Sequence, residues 1–135
     1  RIVRFRNHIM ARILVLQGPN LNLLGTREPH IYGSTTLDDI ERTLNDQAQA
    51  AGLEFEQVQS NAEHVLIDRI HAAREDGTAF ILINPGAFTH TSVAIRACTR
   101  SIPRPLIPIR HRRWRNLWVG CARLRTGPTG RRKPN

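Results

Sequence analysis

Long apolar runs are missing from this chain of 135 residues, and cysteine is scarce. No run reaches the roughly 18 consecutive apolar residues of a membrane-spanning helix. Cys98 and Cys121 are the only cysteines, and they form neither a metal-binding spacing nor a disulfide framework. Residues 1–9 are basic but lack the apolar stretch of a secretory signal, so we interpret them as an extension before a natural start at Met10. These absences favour a cytoplasmic protein without a membrane partner.

Acidic residues are absent from the last part of the chain. Residues 97–135 contain ten Arg, one Lys and no Asp or Glu, whereas residues 1–96 contain nine Arg and eleven acidic residues. The tail therefore has a net charge of +11 and the front a net charge of −2, which together give the +9 of the whole chain. We expect an N-terminal extension (1–9), one globular domain (10–96) and a basic tail (97–135).

Apolar periodicity in the front part alternates between strand and helix patterns. Strands are predicted at 12–17, 53–58 and 79–83, and helices at 37–51, at 62–76 and from Val93 onward. This alternation predicts parallel strands joined by crossovers, which is an α/β doubly wound sheet. The expected helix caps are Thr36, with Asp39 completing a capping box, then Asn61, and then Thr91 or Ser92.

Two polar segments, 18–33 and 84–92, follow the first and third predicted strands. Ligands of open α/β sheets bind at the carboxyl ends of the strands, so we expect a site there. A tyrosine is a poor base at neutral pH unless a cation stabilises its phenolate, and Arg27 could do so for Tyr32. A solvated loop pair is an equally good interpretation of these two residues. His90, taken alone, is better explained as a structural histidine.

Three ordered segments together resemble the type II 3-dehydroquinate dehydratases of the shikimate pathway. They are GPNLNLLGTREPHIYG at 18–33, QSNAE at 59–63 and NPGAFTHTS at 84–92. The resemblance implies a lyase with a flavodoxin-like fold, a homo-oligomer that is a dodecamer built from trimers, and no metal or cofactor. The small-molecule substrate would be 3-dehydroquinate.

The resemblance also implies roles for individual residues. Tyr32 would be the base that removes a proton beside the substrate ketone, and Arg27 would hold Tyr32 as phenolate. Asn20 would help to place a water molecule that stabilises the enolate. Asn84 and His90 would bind substrate hydroxyl groups.

The resemblance stops near Arg96. Family members continue with Arg-Asp and later with a His-x-Ser-Asn segment, whose His is the general acid and whose Ser binds the substrate carboxylate. Here Ala97 replaces the Asp, nothing matches His-x-Ser-Asn, and His111 is the only later histidine. A reading-frame change near codon 96 explains this abrupt shift, and it predicts a sheet that is incomplete at the C-terminus and little or no activity.

The sequence is compatible with two other functions. The Arg-rich tail contains two Trp, and its composition suits binding to the backbone of RNA or of another polyanion. We nevertheless do not expect nucleic acid to be the natural partner. A flavodoxin-like protein that binds a phosphorylated ligand is the other. The chain lacks Gly-x-Gly-x-x-Gly, Gly-Lys-Ser/Thr and the acidic cluster of a receiver domain, which disfavours that function.

Overall fold

The structure is a computed structural model that describes residues 10–26, 30, 33–101 and, by backbone alone, 106–108. In chain order its elements are β1 (Arg12–Gln17), a 3₁₀ turn (Leu21–Leu23), α1 (Leu37–Ala50), β2 (Glu54–Gln59), α2 (Glu63–Ala72), β3 (Thr78–Asn84), α3 (Phe88–Thr91), α4 (Val93–Ser101) and β4 (Leu106–Pro108). The three predicted strands and the predicted helices are confirmed, with boundaries that shift by a few residues.

The strands form one parallel sheet in the order β2-β1-β3-β4. Within it β1 lies between β2 and β3, so the first and third predicted strands are neighbours. Gln17 at the end of β1 is in register with Gln59 of β2 and with Asn84 of β3. The carboxyl ends of three strands therefore lie level with one another. This strand order is that of a flavodoxin-like α/β fold, as expected.

Side chains that alternate along β1 supply both faces of the sheet. Leu14 and Leu16 pack in a buried cluster with α2 and α4, whereas Ile13 and Val15 pack in a second cluster with α1. The helical members of the two clusters include Leu66, Ile70 and Ile95 on the first face and Ile40, Leu44 and Ala48 on the second. Burial on both faces explains why the first strand is a continuous apolar run.

Two of the predicted helix caps form and one does not. The Thr36 hydroxyl accepts a hydrogen bond from the Asp39 backbone N–H, and the Asp39 carboxylate accepts one from the Thr36 N–H, which completes the capping box. Ser92, rather than Thr91, caps α4 by accepting from the Ile95 N–H at 2.8 Å. The prediction for Asn61 was wrong: Ala62 is the N-cap residue of α2.

The proline-interrupted segment that follows α4 contributes one short strand to the sheet. Its residues Leu106–Pro108 pair in parallel with Ile81–Ile83 of β3 and add a short fourth strand. The expectation of a sheet that is incomplete at its C-terminus concerns residues outside the described part of the chain. Within the described part of the chain, no helix is both long and apolar enough to cross a bilayer.

Candidate active site

The segments that follow β1 and β3 touch through their backbones. The Gly18 N–H donates a 2.8 Å hydrogen bond to the Asn84 carbonyl oxygen. Gly18 is buried, and a Cβ atom added to it would lie 2.1 Å from the Pro85 carbonyl oxygen. Only glycine fits such a close approach. This contact brings the two predicted site segments together at one edge of the sheet.

Asn20 lies just beyond this contact in a left-handed backbone conformation, with φ of 65°. Its N–H donates to the Asn61 side-chain oxygen at 3.0 Å, and its carbonyl accepts from the Leu23 N–H. The Gln59 amide nitrogen donates to the same Asn61 oxygen and to the Gly18 carbonyl, at 3.0 and 3.2 Å. Gln59 and Asn61 therefore hold the segment that carries Asn20.

Sequence reasoning missed this supporting role. It treated Gln59 only as part of the QSNAE motif and assigned Asn61 to a helix cap. The position of QSNAE at the carboxyl end of β2 was the available signal, since that end lies beside Gln17.

Asn84 is buried at the end of β3, with 6% of its surface exposed. Its side-chain oxygen accepts a hydrogen bond from the Gly86 N–H at 3.2 Å. Its side-chain nitrogen has no hydrogen-bond partner among the described residues. A buried amide donor in this state is available to an oxygen atom of a ligand.

His90 lies on the exposed surface of the short helix α3. Arg96 of α4 donates to the Thr89 carbonyl at 3.4 Å, which ties α3 to the helix that follows it. Sequence analysis treated residues 84–92 as a polar segment and did not include α3. We predict that Asn20, Asn84 and His90 line one concavity at this edge. Arg27 and Tyr32 lie outside the described residues.

The described groups at this edge are mainly side-chain amides. An amide can donate and accept hydrogen bonds but does not titrate near neutral pH. These residues can therefore bind and orient the hydroxyl groups of a ligand, while proton transfer needs another residue.

Charged side chains gather at the opposite, amino-terminal edge of the strands. Arg69 contacts Glu56 and Asp76, each at 2.8 Å, and Arg12 contacts Glu54 at 3.2 Å. The hydrogen bond from Arg69 lowers the pKa of Glu56. Burial raises the pKa of Asp76, but hydrogen bonds from Thr78 and the charge of Arg69 outweigh it, so the pKa is lowered overall. These pairs connect β2, α2 and the start of β3.

An open cavity of about 450 Å³ borders the same edge. Arg12, Glu54 and Phe55 contribute to its lining, together with Asn45 and Gln49 of α1. It contains none of the predicted site residues. Among the described residues no group of three or more His, Cys, Asp or Glu side chains could hold a metal ion.

Comparison with known proteins decides the family. The family model for dehydroquinase class II matches residues 11–112. The chain belongs to the class II dehydroquinase family. The match includes β1 to β4 and both segments at the candidate site, and it continues past Arg96 to Arg112.

Curated dehydroquinases and a solved structure give the same result. The chain is 66% identical over 100 residues to a 3-dehydroquinate dehydratase of Stenotrophomonas maltophilia K279a, covering 74% of this chain and 68% of that one. The corresponding identity to the enzyme of Xanthomonas campestris pv. campestris 8004 is 64%, with the same coverage. A type II dehydroquinase structure from Butyrivibrio crossotus aligns with a TM-score of 0.70 at 42% identity, covering 73% of this chain and 69% of that one. None of these three is named for RNA binding.

Proposed function

We propose that the edge where β1 and β3 end is the substrate site of a 3-dehydroquinate dehydratase, a lyase of the shikimate pathway. It would eliminate water from 3-dehydroquinate and give 3-dehydroshikimate. The observation that carries this proposal is the 2.8 Å contact between Gly18 and Asn84, because it joins the two segments that resemble the family. The amide groups around it suit a substrate that carries several hydroxyl groups.

Five residues have assigned roles in the proposed reaction. Tyr32, held as phenolate by Arg27, removes the proton from the carbon beside the ketone. Asn20 places the water molecule that stabilises the resulting enolate oxygen. Asn84 and His90 bind substrate hydroxyl groups. The enolate then re-forms the ketone, the bond to the leaving hydroxyl breaks, and a carbon–carbon double bond forms.

We further propose that this chain catalyses the reaction weakly or not at all. The family's acidic residue after Arg96 is Ala97 here, and the His-x-Ser-Asn segment has no counterpart. Without a general acid the leaving group departs as hydroxide, and acid–base assistance is typically worth about 10²–10⁴-fold in rate. Losing the carboxylate-binding Ser segment also weakens the positioning of the substrate.

The test compares this chain with a frame-corrected version that restores the Asp and His-x-Ser-Asn motifs. Dehydroshikimate formation is followed by the absorbance of the conjugated product, with both proteins at equal concentration. We expect turnover from the corrected chain, loss of turnover in its Tyr32→Phe variant, and little or none from the chain as it stands. A corrected chain without activity would refute the assignment of the substrate.

Comparable rates from the two chains would instead refute the proposed inactivity. They would show that the tail supplies an acid, and His111→Ala would be the next variant to measure. A salt titration of RNA binding by the same two proteins tests the alternative function of the tail. We expect any RNA affinity that the chain has and its corrected form lacks to be nonspecific. Such an affinity should fall as salt is added.

The remaining proposals concern organisation and assembly. The division into 1–9, 10–96 and 97–135 is supported by the change in charge and motifs at Arg96. The dodecamer of trimers and a cytoplasmic location follow from the family resemblance. Sedimentation of the frame-corrected chain measures the assembly directly.

A further inference from the structure

Three side chains form a hydrogen-bonded relay between α1 and the end of β1. Gln57 on β2 donates through its amide nitrogen to a carboxylate oxygen of Glu41 at 3.1 Å. Gln17 on β1 donates in turn to the Gln57 amide oxygen at 3.3 Å. Glu41 is exposed whereas Gln17 is completely buried, so the relay runs from the surface to the buried carboxyl end of β1.

The chemistry of Glu41 fixes the direction of this relay. An ionised carboxylate only accepts hydrogen bonds, so Gln57 must turn its NH₂ group toward Glu41 and its oxygen toward Gln17. Gln17 must then turn its own NH₂ group toward Gln57. The side-chain oxygen of Gln17 is left over, and it has no partner among the described residues.

Asn84 presents the complementary group for an independent reason. Its oxygen accepts from the Gly86 N–H, so its NH₂ group is the end that remains, buried and without a partner among the described residues. Gln17 and Asn84 are register partners on adjacent parallel strands. Their side chains therefore leave the same face of the sheet, on strands about 4.8 Å apart.

We propose that Gln17 is a positioning residue for Asn84. Its side-chain oxygen accepts a hydrogen bond from the Asn84 NH₂ group after a side-chain rotation, which satisfies two buried polar groups at once. One N–H of Asn84 is then held by Gln17, and the second is directed to a ligand oxygen. Glu41 only accepts hydrogen bonds, and this sets which group donates and which accepts along the relay. The ligand part of this proposal rests on the proposed function, whereas the relay itself does not.

The relay is tested by NMR of the full ¹⁵N-labelled chain, with the Asn84 side-chain signal assigned from Asn84→Asp. Gln17→Leu removes the acceptor without introducing a charge, and Gln49→Leu on the exposed side of α1 is the matched control. We expect the Asn84 amide protons to shift and to exchange faster with solvent in Gln17→Leu but not in Gln49→Leu. An unchanged Asn84 signal in folded Gln17→Leu would overturn the proposal.

A second pair of variants reverses the donor and acceptor roles in the relay. It replaces the first test if Gln17→Leu does not fold. In Gln17→Glu the new carboxylate still accepts from Asn84 but forces Gln57 to turn, so that its oxygen faces Glu41. Adding Glu41→Gln supplies a donor for that oxygen. We expect the double variant to restore the Asn84 signal and part of the melting temperature lost in the single variant. Equal behaviour of the single and double variants would refute the relay.

The ligand part is measured by calorimetric titration with 3-dehydroquinate. Losing the positioning hydrogen bond should weaken binding by Gln17→Leu roughly 2- to 10-fold, with no change for Gln49→Leu. Equal affinities of the unaltered chain and Gln17→Leu would refute the positioning role. Absence of binding by both the unaltered and the frame-corrected chain would count against the proposed function, and the NMR comparison would still decide the relay.

Discussion

Replacing Gly18 by Ala tests the backbone contact on which the candidate site depends. The added Cβ would lie 2.1 Å from the Pro85 oxygen and 2.4 Å from its carbonyl carbon, whereas real Cβ contacts essentially never fall below 3.0 Å. The neighbours are backbone atoms, which cannot rotate away as a side chain can. The two segments must therefore move apart by roughly 1 Å, beyond the range of the 2.8 Å hydrogen bond from Gly18 to Asn84.

The cost combines two effects. Overpacking typically costs about 1–3 kcal/mol, and leaving a buried backbone group without its partner costs about 1–3 kcal/mol more. We therefore expect Gly18→Ala to lower the free energy of unfolding by about 2–6 kcal/mol, a large part of the roughly 5–15 kcal/mol of a typical domain. Urea unfolding followed by far-ultraviolet circular dichroism measures this difference.

Gly52→Ala is the matched control. Gly52 has φ of 70°, and a Cβ there would meet no atom within 4 Å of the described structure. Its substitution should cost only the strain of the left-handed backbone, about 1–2 kcal/mol. If Gly18→Ala costs no more than Gly52→Ala, the close approach of the two segments is not a constraint and the reasoning fails.

Three further predictions concern stability. Thr36→Ala should destabilise the chain by about 1 kcal/mol through loss of the capping box, whereas Thr36→Ser should retain most of it; thermal melts compare the two. Leu66→Ala should cost about 2–5 kcal/mol in urea unfolding because Leu66 is completely buried, and a cost below about 1 kcal/mol would contradict its place in the core. The folded chain lowers the pKa values of the Glu56 and Asp76 carboxyl groups, so these groups stabilise the fold above their ordinary pKa near 4. That stabilisation is lost as the pH falls through the folded pKa values. In an acid titration, Arg69→Leu should therefore lose less stability over this range than the unaltered chain.

The strands and helices were predictable because their signals are local. Apolar periodicity located β1 and β3 within a residue of their ends, and the Thr36–Asp39 pair is a short-range motif. The second strand begins at Glu54 rather than Leu53, because the Leu53 N–H bonds back to the Ala48 carbonyl at the end of α1. The fourth strand tolerates Pro108 because β4 is the outer strand of the described sheet, and an edge strand need not donate from every N–H.

The supporting residues of the site were not predictable, because they depend on contacts between distant parts of the chain. Asn61 has the residue type of a helix cap, but its side-chain oxygen accepts from Asn20 and Gln59. Ser60, the residue before it, accepts from the Ala62 N–H instead. The relay through Gln17 likewise requires the register of three strands, which periodicity does not give.

The central place of β1 constrains the order in which the chain can fold during synthesis. Residues 12–17 leave the ribosome before their partner strands, so both of their edges can be paired only after residues 54–59 and then 78–84 have followed. The contact between Gly18 and Asn84 therefore forms only late, when nearly the whole front part of the chain is available. Every residue needed for that contact is nonetheless encoded before Arg96. A change in the chain after Arg96 therefore leaves both residues of that contact in place.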